Sequence, residues 1–280
     1  MTGAPRAAWP RALLGVLALA AAALPARAAD LPLWELGLGV AGLSLPHYRG
    51  AERSTRWVLP TPYAVYRGEV LRANRDGVKA MLLDSERVDF DLSMAATAPT
   101  RSADEPARAG MADLAGTLEF GPNLNLRVAH GAGWKMELRL PVRAAMTLES
   151  NPRAIGWSAA PNLNVDHRLG AWNLGVQVGA LWGSRRLHGH FYDVAAADAT
   201  ASRPAHQARG GRAGWQGTIG VSRRDGDRWM GAFVRADSVA GSVVADSPLV
   251  RRQQTVAFGM AVSWVLWRSE RLVPDRDELR

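Results

Sequence analysis

Trp172-Asn-Leu-Gly-Val-Gln-Val-Gly-Ala-Leu-Trp182 is the stretch on which the fold turns. Trp172, Leu174, Val176, Val178, Ala180 and Trp182 are all apolar, while Asn173, Gly175, Gln177 and Gly179 between them are small or polar. A period of two is a β-strand with one apolar and one polar face. At the rise of an extended chain the two tryptophans stand roughly 33 Å apart, and a tilt of about 40° makes that roughly 25 Å of height. This matches the apolar band of an outer-membrane barrel with an aromatic at each interface. For this segment alone, a strand of a soluble β-sandwich is the alternative.

The alternation recurs along the chain. Leu36, Leu38 and Val40 share one parity, as do Trp57, Leu59, Thr61, Tyr63 and Val65. Val88, Phe90, Leu92 and Met94 oppose Asp89, Asp91 and Ser93; Trp134, Met136, Leu138, Leu140 and Val142 oppose Lys135, Glu137 and Arg139. Trp215, Gly217, Ile219 and Val221 form another set, and Val256, Phe258, Met260, Val262, Trp264 and Leu266 close the series. Such patterns cannot tell inside from outside, but tryptophan placement separates the two readings. Trp34, Trp57, Trp134, Trp157, Trp172, Trp215 and Trp229 open their strands, while Trp182, Trp264 and Trp267 end theirs. Core tryptophans favour strand middles and interfacial belts favour strand ends, so these ten residues are expected to form a membrane-interface belt.

The connections come in two sizes. Arg67-Gly68, Arg72 to Gly77, Asp84 to Arg87, His130 to Gly133, Arg168-Leu-Gly170 and Arg223 to Asp227 are short and carry Gly or Asp suited to turns. Longer ones span about 45–56, 98–111, 148–155, 184–211 and 239–253. With the first strand starting in the periplasm, twelve strands put the long connections on one side and nearly all tight turns on the other, as outer-membrane barrels do. Ten strands is the alternative count, because residues 68–84 are poorly patterned. The fold expected is an all-β, transmembrane, antiparallel up-and-down β-barrel over 29–267.

Compartment is read from residues 1–28. Arg6 and Arg11 precede an apolar run from Ala12 to Leu24, and Ala26-Arg27-Ala28 is a small-x-small cleavage signal. The run is too short for a spanning helix, which needs about 20 residues. This predicts an N-terminal signal peptide and export to the outer membrane of a Gram-negative cell. The chain holds no cysteine, which excludes disulfides, thiolate metal sites and thiol nucleophiles. Its formal charge is +8, of which the leader carries three arginines and no acid. The remaining Lys and Arg are scattered without a basic helix or groove motif, which argues against nucleic acid. Arginines at an outer rim suit the phosphates of lipopolysaccharide.

Several loop motifs resemble the MltA-interacting protein (MipA)/OmpV family. They are Pro46-His-Tyr48-Arg-Gly50, Leu59-Pro60-Thr-Pro62-Tyr63, Ala107-Arg108-Ala-Gly110-Met111 and Leu118-Glu119-Phe-Gly121-Pro122. Leu140-Pro141-Val-Arg143, Gly156-Trp157, Tyr192-Asp-Val194, Arg203-Pro204 and Asp246-Ser247-Pro248-Leu249-Val250 follow in the family's order. The resemblance covers the chain beyond the leader and implies an outer-membrane barrel. Some members are described as scaffolds joining a periplasmic lytic transglycosylase to a peptidoglycan synthase, others as major outer-membrane proteins with adhesion or permeability roles. Two features depart from the family. After Arg203-Pro204 this chain has His206 and Arg212 where aromatics are usual, and a charged tail, residues 268–280, follows Trp267. The tail is expected to be disordered.

Site candidates are few. His188-Gly-His190 with His206 would share a face on a strand and hold a metal, but no Asp, Glu or Cys completes a set, so no metal or cofactor is expected. Ser93, Ser158, Ser222 and Ser263 with His130 and His167 supply the parts of a lipid hydrolase, yet both histidines sit near tight turns and no Gly-x-Ser-x-Gly appears. Asp246-Ser247 is an adjacent pair whose side chains diverge on an extended chain, and it reads as a loop folded into the barrel mouth, pairing Asp246 with Arg235 or Arg251. Charge on the lipid face costs roughly 2–4 kcal/mol at the bilayer midplane. Arg108, Arg143, Arg203 and Arg235 are therefore expected in the lumen or mouth, paired with Glu119, Asp89, Asp91 or Asp237. The function expected is a monomeric, non-enzymatic scaffold, with charged turns (Asp84 to Arg87, Arg223 to Arg228) as its docking surface. A small-solute channel is the alternative, and an outer-membrane lipid hydrolase the third reading.

Overall fold

The computed structural model describes residues 30–68, 71–74, 77–80, 83–85 and 87–274, with backbone alone over 71–84. The expected leader and the last six residues lie outside the described residues. The strands are β1 (Leu31–Pro32), β2 (Trp34–Pro46), β3 (Ser54–Arg67), β4 (Leu71–Asn74), β5 (Gly77–Ala80), β6 (Leu83–Asp84), β7 (Val88–Thr97) and β8 (Thr117–Gly131). They continue with β9 (Trp134–Thr147), β10 (Ala154–Ala159), β11 (Asn162–Leu169), β12 (Trp172–Gly183), β13 (Gly211–Asp225), β14 (Arg228–Ser238), β15 (Gln254–Arg268) and β16 (Leu272–Val273). One helix, α1 (Arg185–Tyr192), lies in the longest connection.

All strands but β1 and β16 form one antiparallel sheet, in the order β5-β4-β3-β2-β15-β14-β13-β12, then β10 and β11, then β9-β8-β7-β6. β2 pairs with β15 from Phe258↔Ser44 to Arg268↔Glu35, which joins the two ends of the chain. The remaining ends of the order, β5 and β6, are consecutive pieces of the chain, and β5 also lies against β7. β10 and β11 both lie between β9 and β12 and form one interrupted stave. Counting β5–β6 and β10–β11 as single staves gives the twelve expected up-and-down strands. The described residues of the poorly patterned stretch 68–84 include the β4–β5 hairpin.

The exposure pattern is that of a barrel in lipid. On β15, Val256, Phe258, Met260, Trp264 and Leu266 are exposed while Thr255, Ala257, Ser263 and Val265 are buried. Met260 is 64% exposed and Ala257 0%, so the large apolar side chains face outward and the small ones inward, the reverse of a water-soluble sandwich. No helix among the described residues is long and apolar enough to cross a membrane; the crossing elements are strands. Three tight turns share one end: Ala132-Gly133, Gly170-Ala171 and Gly226-Asp227, each with its glycine at positive φ (76°, 60° and 58°). A β-carbon is disfavoured there, and glycine supplies the geometry of a two-residue hairpin. The connections 47–53, 98–116, 148–153, 184–210 and 239–253 all lie at the opposite, loop end.

Tryptophans follow this geometry with two corrections. Trp34, Trp134, Trp172, Trp264 and Trp267 lie on the outer face toward the turn end, and Trp157, Trp182 and Trp215 on the outer face toward the loop end. Trp57 and Trp229 face inward instead. Trp57 sits opposite Leu43, while Trp229 sits opposite Arg224 and 6.5 Å from the Tyr63 ring. Their strand-end position says nothing about parity, and their parity is that of lumen residues. The described part of the tail departs from the expectation of disorder: β16 pairs with β1, with Leu31↔Val273 and Pro32↔Leu272 in register. Leu33 N–H donates to the Arg271 carbonyl at 2.8 Å, so backbone pairing between the two chain ends outweighs the charge of the segment.

Candidate functional site

The buried apolar cluster of the described residues lies in the loops rather than in the barrel wall. Tyr48, Ala51, Ala107, Leu114, Tyr192, Val194, Ala208, Val239, Val244 and Leu249 form one core, with Met111, Phe191, Val243 and Val250 against it. These residues come from the connections 47–53, 98–116, 184–210 and 239–253, so four loops fold together into a cap. Inward packing of this kind needs every buried backbone group satisfied, and the motif side chains do this.

Arg203 Nη1 donates to the carbonyls of Ala107 (3.1 Å) and Ala109 (2.9 Å), while its Nε and Nη2 donate to Asp198 O at 3.1 and 2.8 Å. Arg108 donates to Ser102 Oγ, Phe191 O and Ala112 O, each at 3.3 Å. Tyr48 Oη donates to Leu249 O (2.8 Å), Tyr192 Oη to Arg49 O (2.9 Å), and Ser247 Oγ to Tyr192 O (2.8 Å). The fully buried Glu105 accepts from His47 Nδ1 (3.0 Å) and from the N–H groups of Glu52 and Arg53 (3.4 and 3.2 Å). Burial pushes the Tyr192 hydroxyl up to about 12 and raises that of Tyr48 as well, so both remain donors at any physiological pH.

The placement corrects three expectations. Arg108 and Arg203 are in the mouth as expected, but they clamp carbonyls rather than lumen carboxylates. Asp246 is exposed and pairs at 3.6 Å with Arg209, not with Arg235 or Arg251. His188 and His190 lie on α1 rather than on a strand, where residues two apart diverge. His188 Nδ1 donates to Arg209 O at 2.6 Å and His190 Nε2 to Ala115 O at 3.0 Å; His206 sits in a separate bridge with Val194. Glu105 and Ser102 lie in a segment without a periodic pattern, and nothing in the motif around His47 marks the carboxylate it pairs with. Glu105-Pro106 just ahead of Arg108 was the one available signal.

Burial lowers the affinity of both helix histidines for a proton, with the carbonyl acceptors opposing this and nearby arginines (Arg49 for His188, Arg108 for His190) adding to it. An opened cap therefore binds more protons than a closed one, and cap stability falls as pH drops through the ordinary histidine value of about 6.5. Hydrogen exchange over residues 184–210, corrected for its intrinsic pH dependence, is expected to show protection declining from pH 7.5 to 5. Flat protection across that range would contradict this.

Below the cap the lumen is filled by charge-compensated networks. Asp237 accepts from Arg49 Nε (3.1 Å), Arg235 Nε (3.0 Å) and Gln216 (2.8 Å), which fastens loop 47–53 to the wall. Arg143 donates to Ser93 Oγ at 2.7 and 3.0 Å, and Ser158 Oγ donates to Glu119. Asp91 accepts from Asn123 and Asn125, both at 3.0 Å. Two of the serines considered for hydrolysis thus serve these networks, while His130 is exposed at the turn end. Glu35 accepts from Arg224 (2.6 Å) and Arg67 (3.4 Å), and Glu137 from Lys135 (3.1 Å) and Arg139 (2.9 Å). Around these groups a cavity of about 800 Å³ occupies the turn half of the lumen, and no residue of the four cap loops lines it.

Several solved structures resemble this chain at low identity. An outer-membrane channel from Pseudomonas putida F1 is 12% identical, with a TM-score of 0.46, over 88% of this chain and all of that one (100%). A bacterial polysaccharide outer-membrane secretin is 8% identical (TM-score 0.45; 83% and 99% covered), and outer-membrane phospholipase A from Escherichia coli is 8% identical (TM-score 0.30; 82% and 92% covered). No curated protein matches significantly. The family model described as MltA-interacting protein MipA matches residues 38–266, which takes in the barrel and every loop of the cap. The chain is an outer-membrane β-barrel protein and belongs to the MipA family.

Proposed function

We propose that the barrel is a non-enzymatic, monomeric scaffold whose turn end faces the periplasm and docks a lytic transglycosylase, with a peptidoglycan synthase as the further partner. The observation that carries this reading is the cap: four loops pack one buried core at the loop end of the barrel, an arrangement that favours a closed barrel over a solute channel. The family's name, MltA-interacting protein, supports the kind of partner. In this orientation the outward tryptophans lie at the two interfaces with outer-membrane lipid, the loop end meets lipopolysaccharide, and residues 1–28 direct export.

The docking surface in this reading is the charged rim. Arg228 pairs with Asp225 at 3.3 Å and Arg268 with Asp227, all four exposed. Exposed pairs contribute only about 0–1 kcal/mol to stability, so R228E/R268E should leave folding intact. Purified barrel on a resin is expected to retain a purified lytic transglycosylase in a salt-sensitive manner, and the double variant to weaken retention at least about tenfold, the effect of losing one charged contact. Repeated failure of the unaltered barrel to retain the enzyme would remove the scaffold reading.

A further inference from the structure

The wall of the barrel is incomplete beside β3. On one side β2 pairs with β3 from Pro46↔Ser54 to Trp34↔Tyr66. On the other side β4 meets it only at Tyr66↔Ala73 and Arg67↔Arg72. Among the described residues no strand adjoins that edge from Ser54 to Val65. Chain length dictates this, because residues 68–87 are too few for two crossings as long as the 14-residue β3. The Arg67 N–H donates to Leu33 O at 2.8 Å on the β2 side. Odd-numbered residues of β3 therefore direct their N–H groups to β2, and even-numbered ones face the open edge. Pro60 and Pro62, which have no N–H, both fall on the open parity, where a strand tolerates proline. The Thr61 hydroxyl donates to the Pro62 carbonyl at 3.3 Å, taking the place of a strand donor.

We propose that this gap is a lateral portal through which the hydrocarbon chain of a membrane lipid enters the lumen. An unpaired strand edge is not tolerated at membrane depth unless it lines a cavity. Here one lies behind it: Thr61 to Val65 belong both to β3 and to the wall of the cavity of about 800 Å³. The lip of the gap is apolar. Val58 is 78% exposed, and Leu59 is 44% exposed although it shares parity with Tyr63, whose hydroxyl reaches the lumen carboxylate of Glu35. On the loop side, Glu105 ties the connection 98–116 to 47–53 by accepting from the N–H groups of Glu52 and Arg53. On the turn side stands the tip of the β4–β5 hairpin, Asn74↔Gly77. Lipid is the occupant this edge favours, since a strand from a second copy would meet two prolines where its ladder needs donors. The portal does not depend on docking of a murein enzyme, and it opens sideways to lipid, so it is compatible with a closed cap.

Photocrosslinking of the full-length barrel in dioleoylphosphatidylcholine vesicles tests it, with p-benzoylphenylalanine in place of Leu59, Val58 or Thr218, one at a time. Thr218 faces the lumen from β13, a strand paired on both edges. Irradiation is expected to yield a phospholipid adduct in the Leu59 variant, as in the outward-facing Val58 variant, and none in the Thr218 variant. The chain has no cysteine, so a bimane on Thr61→Cys reports the same event independently. Phospholipid with brominated acyl chains should quench that bimane and leave one on Thr218→Cys unquenched. Heat-modifiable gel migration reports whether each variant is folded; if the Leu59 variant is not, the quenching decides. A lipid adduct at Val58 without one at Leu59, absence of quenching at Thr61, equal reaction at Thr218, or a crosslink of two barrels through the Leu59 site would each overturn the portal.

Discussion

Arg203→Ala is expected to open the cap while leaving the barrel folded. Arg203 is 7% exposed, and its guanidinium bridges two loops by donating to three carbonyls. Truncation leaves the Ala107, Ala109 and Asp198 oxygens in a buried setting without these donors. Hydrogen bonds from a charged donor contribute about 1.5–3 kcal/mol each and do not sum fully, so a cost of about 3–5 kcal/mol is expected. A lysine cannot reproduce the fork, and Arg203→Lys should recover only part of the loss. The readout is amide exchange over 98–116 and 184–210: protection should fall by roughly a hundredfold or more, since about 1.4 kcal/mol is one decade. Exchange in β13, β14 and β15 should not change, because their ladders are continuous across the β2–β15 seam. Uniform loss across cap and barrel would contradict a separable cap.

Leu249→Ala has a comparable effect by a different route. Leu249 is 0% exposed at the centre of the loop core, and its carbonyl accepts the Tyr48 hydroxyl. The substitution keeps that carbonyl, so what is lost is packing. A buried leucine cut to alanine costs about 2–5 kcal/mol, depending on how far the cavity collapses. Tyr48→Phe removes only the hydroxyl and should cost about 1 kcal/mol. Protection of the 239–253 amides should therefore fall much further for Leu249→Ala than for Tyr48→Phe. Equal effects would assign the stability of the cap to the hydrogen bond rather than to the core.

Much of the barrel was legible from parity and turn chemistry, because lipid contact imposes a strict period of two on every stave. The inward tryptophans left a partial trace in parity: Trp229 is in step with Arg235 and Asp237, and Trp57 with Arg67, but Trp215 is in step with Arg223 and still faces outward. The cap was not legible as an object. Its motifs lie as far apart as Tyr48 and Leu249, and only tertiary structure shows that they meet. Backbone carbonyls, the partners of Arg108 and Arg203, leave no trace in side-chain composition, which is why carboxylates were expected in their place.

The central claim is that four loops close the barrel, and planar-bilayer conductance tests it most directly. Wild-type protein should insert without steady discrete openings, and Arg203→Ala or Leu249→Ala should introduce them under the same conditions. Steady discrete openings of the wild-type barrel, unchanged in either variant, would contradict a closed cap and with it the scaffold reading.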